Sequence, residues 1–94
     1  MNAFFVAPVK DPGAYLDYFI NWTGWLTQGE TISDFTVSSS DAALVIDSET
    51  HADGVVTWWA DGGVAGFDYL MTCAVETSAG RKDQRSVKLP VRER

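Results

Sequence analysis

One cysteine and one histidine are all that the 94 residues offer of the side chains that most often bind metals or attack substrates. With Cys73 alone no intramolecular disulfide can form, which excludes a stapled secreted miniprotein. Structural zinc needs four nitrogen or sulfur ligands and catalytic zinc about three, so His51 and Cys73 fall short. His51 lies in a loop-like segment beside acids, and nothing near it completes a Ser/His/Asp or Cys/His set. Cys73 has no cationic sequence neighbour to lower its pKa and reads as a small buried hydrophobe. Asp47, Glu49 and Asp53 provide oxygens, but in no calcium-loop spacing. Gly62, Gly63 and Gly66 lack the Lys and the strand–loop–helix setting of a phosphate-cradling loop. The expectation is a non-enzyme, with no catalytic residue, no metal site and no cofactor.

Long apolar runs are missing as well. None approaches the length of a membrane-spanning helix, so no membrane contact is expected. The opening MNAFFVAPV is apolar but has neither the basic region nor the cleavage site of a signal peptide, so synthesis in the cytoplasm without export is expected. Bases are scarce until the end of the chain. Residues 1–80 hold eleven acids and the single base Lys10, whereas residues 81–94 hold six bases and two acids. The net charge is −6, and most of the surface should repel nucleic acid and anionic lipid. The basic end leaves three readings open. It binds phosphate, it pairs with acids of its own molecule, or it meets the acidic face of another protomer or protein.

What the chain has in quantity is apolar residues, 46% of the total, and twelve aromatics among them. They alternate. AYLDYFINW puts Leu16, Tyr18, Ile20 and Trp22 on one strand face, and Tyr15, Asp17, Phe19 and Asn21 on the other. The second face is thus partly apolar too. DFTVS and ALVID read as short strands, ETHADG as a loop with Asp53-Gly54 as its turn, and VVTWWA as a strand. FDYLMTCAVET places Tyr69, Met71, Cys73 and Val75 together, and the Tyr69 hydroxyl is in position to bond the backbone as a tyrosine corner does. SAGRKD makes a hairpin loop at Gly80. In RSVKLPV, Pro90 cannot donate to a ladder and predicts a sheet edge, at least there. About seven short strands with turns every eight to twelve residues predict an all-β fold, a single immunoglobulin-like antiparallel sandwich. Residues 10–94 form that domain, and residues 1–9 form an arm that either completes a sheet or reaches a neighbour.

Trp58 and Trp59 are adjacent, and neighbouring strand residues point to opposite faces. Either a bulge turns both inward, or loops cover the second ring, or that ring faces a partner. Phe4 and Phe5 pose the same problem in the arm. The expected interface residues are therefore Phe4, Phe5, Trp25 and Trp59, with Arg81, Arg85, Arg92 and Arg94 from the basic end.

Several short motifs stand in order along the chain: Lys10-Asp11-Pro12, Trp25-Leu26, Gly29 to Ile32, Trp59 to Gly63, and Thr77 to Ser86. In that order and spacing they resemble the phage fiber–tail adaptor proteins, small virion proteins of tailed phages. The resemblance runs from Lys10 to Glu93 and is loose over SSSDAALVIDSETHADG. It implies an immunoglobulin-like or similar β-sandwich that joins tail fibre to tail body, with other tail, connector and fibre proteins as partners. It also implies a virion location, at the tail or head–tail junction. A homo-oligomer or ring is expected, since the basic end and the acidic remainder suit head-to-tail contacts. The competing reading is an immunoglobulin-like binding module for carbohydrate adhesion or capsid decoration, in which an outward Trp stacks on a sugar.

Overall fold

The computed structural model describes residues 3–93. Seven strands follow one another: β1 (Ala3–Val6), β2 (Tyr15–Asn21), β3 (Ile32–Ser39), β4 (Leu44–Ala52), β5 (Val55–Gly62), β6 (Asp68–Thr77) and β7 (Lys82–Pro90). They form two sheets, one ordered β1-β7-β6-β3 and the other β2-β5-β4. All pairings are antiparallel except that of β1 with β7. This is an all-β, immunoglobulin-like sandwich, as the alternation predicts.

The core lies between the sheets and follows the alternating sets. Ile20 and Trp22, Val56, Trp58 and Ala60, and Met71, Cys73 and Val75 are buried. Trp58 is fully enclosed, and its indole N–H points at Met71 Sδ, 3.2 Å away. No bulge brings Trp59 inward; it stays on the outer face, half-buried. Burial pushes the Cys73 thiol up to about 11, which suits an inert core residue. The Tyr69 ring is buried and its hydroxyl accepts the Val64 N–H at 2.8 Å, so the expected tyrosine-corner bond is present.

Two expectations need correction. ETHADG is not a loop: β4 continues through Ala52, and only Asp53 and Gly54 turn, both with positive φ (53° and 80°). Those strand residues are exposed, so they carry no apolar alternation to betray them. Second, β7 is not an edge strand, because β1 covers its other side. Pro90 is tolerated because that ladder lapses beside it. Lys88 and Pro90 turn their carbonyls toward the arm, accepting from Ala7 and Lys10, and the missing N–H would point the same way. There the arm has swung out at Pro8 and Val9, returning to pair at Lys10 and Val91. Leu16 shares the inward face of β2 with Tyr18, Ile20 and Trp22, as the alternation places it; opposite buried Ala60, it is 42% exposed because β2 bounds its sheet.

Candidate interaction surfaces

The outer face of the three-stranded sheet is built row by row from the register. Trp59 on β5 stands between Asp17 on β2 and Asp47 on β4; Asp61 stands between Tyr15 and Val45; Thr57 stands between Phe19 and Thr50. Tyr15 stacks on the Trp59 ring with centroids 4.8 Å apart and donates its hydroxyl to Asp47 Oδ1 at 2.5 Å. That bond to a carboxylate raises the Tyr15 phenol above its ordinary value. Phe19 and Val45 are more than half exposed. The three strands contain no Lys or Arg. The face is therefore a flat aromatic and aliphatic patch carrying three carboxylates without a base. A surface of this kind favours a partner with apolar anchors and positive charge.

The outer face of the four-stranded sheet differs. Lys88 and Arg92 both reach Asp68, at 3.4 and 3.0 Å, so charges of both signs are paired there.

The motif residues mostly hold the domain together. Glu30, just after the loop that follows β2, has its side chain almost fully enclosed. Its carboxylate accepts from Arg81 Nε at 2.9 Å and Nη2 at 2.5 Å, from the Thr77 hydroxyl, and from the Thr27 N–H and hydroxyl. Arg81, then Thr27 and Thr77, hold the Glu30 carboxyl far below the usual carboxylate range. The Arg81 guanidinium also lies 4.2 Å over the Trp25 ring and donates to the Trp25 carbonyl. At the other end of the sandwich Lys10 is fully buried, donating to the carbonyls of Gly62 (2.7 Å) and Asp11 (2.9 Å). Burial lowers the Lys10 pKa, opposed by Asp61 and Asp11. Gly62 is required for this arrangement: its φ is +83°, and a Cβ there would sit 2.8 Å from the Ala43 carbonyl.

The expected interface residues thus fall in different places. Trp59 lies on the aromatic and acidic face. Phe5 is half exposed on β1, and the Phe4 backbone pairs with Ser86. Trp25 and Arg81 form the clasp on Glu30. Arg85 lies 4.2 Å over the buried Trp22 ring. Arg92 bonds Asp68 and the Phe67 carbonyl. Arg94 lies outside the described residues. Tyr15, Phe19, Val45 and Asp47 complete the face with Trp59. The signal for Tyr15 and Phe19 is the partly apolar second face of AYLDYFINW; Val45 follows from the alternation in ALVID. His51 is exposed and meets the Phe35 ring edge-on at 5.0 Å.

An immunoglobulin-like sandwich whose motif residues brace its interior, and whose shorter sheet shows an aromatic face outward, has the form of a protein-binding structural domain. The family model of the podophage GP4 fiber-tail adaptor protein gp77 matches residues 10–90, nearly the whole chain, and the chain belongs to that family. It is a phage structural protein of the adaptor kind, as the ordered motifs imply. No curated protein matches the sequence. Among solved structures, the solution structure of the PKD domain from KIAA 1837 protein is similar at 16% identity and a TM-score of 0.46, over 98% of this chain and 80% of that one.

Proposed function

We propose that the chain joins the tail fibre to the tail body in the virion, and that the outer face of β2, β5 and β4 is one of its two contact surfaces. The single observation behind this is the patch of Tyr15, Phe19, Val45 and Trp59 set among Asp17, Asp47 and Asp61 with no base. Aromatic residues enclosed by a partner carry a large share of interface energy, and charged neighbours select the partner. The basic end of the chain, where Arg81, Lys88 and Arg92 are already paired with Glu30 and Asp68, has less free charge for contacts between copies than its composition suggests. Arg85 and Arg94 remain part of the proposed interface set, and a homo-oligomeric ring is part of the same reading. Binding of nucleic acid or membrane is not.

The test is a phage carrying Trp59→Ala and Phe19→Ala in this chain. Purified particles should lose fibre by roughly tenfold or more while the variant protein stays folded. Full fibre content with a folded double variant overturns the reading. Loss of binding to a glycan array with fibres intact would favour the carbohydrate module instead.

A further inference from the structure

We propose that the free edge of β2 is a slot for an extended, cationic strand of a partner protein. This deepens the adaptor reading and rests on it.

The two sheets are unequal. β2 bounds the three-stranded one, and among the described residues its only strand neighbour is β5. The Trp22 N–H bonds the Gly54 carbonyl at 2.8 Å. Backbone groups alternate sides along a strand, so the N–H and C=O groups of Tyr15, Asp17 and Phe19 point away from β5, into the open.

The other sheet edges are defended. β3 is irregular between Ile32 and Asp34, β4 is irregular between Asp47 and Thr50 with Ser48 at a φ of 55°, and β1 has only four residues. β2 runs seven residues in unbroken register without Pro, Gly or Lys. Natural sheets rarely leave such an edge uncovered, because it pairs with any suitable strand.

A groove of about 460 Å³ runs alongside, with Phe5, Ala7, Tyr18, Ile20 and Val87 in its walls. Half-exposed Leu16 stands at the same edge. Inward side chains of an added strand would fill this groove. Its outward side chains would extend the face on which Asp17 and Asp47 stand without a counter-charge, Asp61 being the one that acts on buried Lys10, so Lys or Arg belongs there. Arg85, the one base in the groove wall, is already turned onto Trp22 and the Asn21 carbonyl. A second copy is a poor occupant: pairing β2 with β2 would set two acidic faces edge to edge.

The test uses the folded chain and two synthetic peptides of about ten residues, one alternating Val with Lys and one alternating Val with Glu. The lysine peptide should slow amide exchange at Asp17 and Phe19 roughly tenfold, and the glutamate peptide should not. Phe19→Pro removes an N–H that points into the slot and costs no bond to β5, so it should abolish the protection. Should that variant fail to fold, Asp17→Lys must weaken the lysine peptide instead. Equal effects of both peptides, no protection at β2, protection at another edge, or a β2-mediated dimer would each overturn the proposal. In phage, fibre content on Phe19→Pro particles equal to that on Phe19→Ala particles, which keep the N–H, with fibres lost on Trp59→Ala particles, would remove the slot and leave the adaptor reading standing.

Discussion

Glu30 and Arg81, 51 positions apart, meet as a two-pronged pair that ties the loop after β2 to the turn between β6 and β7. The pair is asymmetric in its vulnerability. Arg81→Ala leaves an enclosed carboxylate with only hydroxyl and amide partners, and it removes the lid over Trp25. We expect a fall in thermal midpoint of roughly 5–10 °C. Arg81→Lys should recover only part of it, since an ammonium can neither fork onto the carboxylate nor stack as flatly. Thermal melts of the three proteins check this.

The same pair sets the acid limb of stability. A carboxyl held low in the folded state stabilises fully above its unfolded pKa of about 4.3, and that stability drains away as pH falls toward the folded value. Wild type should lose stability steadily below about pH 5, and Glu30→Gln should show a shallower slope. Asp68, also lowered by Arg92 and Lys88, adds to the slope in both proteins. Denaturant unfolding between about pH 2 and pH 7 measures the difference.

The adjacent tryptophans should differ sharply. Trp58→Ala opens a void in the core and should cost about 3–5 kcal/mol. Trp59→Ala removes a half-buried outer ring and its stacking on Tyr15, about 1 kcal/mol. Urea titration of each variant tests the ordering; equal costs would mean that Trp59 is packed as deeply as its neighbour.

Tyr69→Phe should cost about 1–2 kcal/mol, because the Val64 N–H then loses its acceptor where the chain crosses between sheets. A loss well below this would show that water replaces the hydroxyl.

Much of this sandwich was legible as alternation. β2 and β6 announce themselves because one face of each must be apolar, and the second apolar face of β2 already pointed to the exposed Tyr15 and Phe19. The second half of β4 was hidden because Glu49, Thr50, His51 and Ala52 line an edge where neither side is buried. The place of β1 was hidden for another reason: four residues, pairing with a strand some eighty positions away, leave no local mark. The Glu30–Arg81 clasp was equally silent. Acids and bases on strands and loops are usually solvated, and nothing in the local sequence of either residue shows that the other lies beside it. For this reason Arg81 and Trp25 looked like surface residues although they brace the interior.

The parallel course of β1 and β7 has a mechanical meaning. Opposed pulls at the start of β1 and the far end of β7 act along the strands, so the bonds from Ala3 through Val6 are sheared together and not unzipped one after another. Rupture then requires breaking the whole set at once, which takes more force than peeling. For a protein of the phage tail, this short strand gives a load applied along β1 and β7 a path that resists peeling.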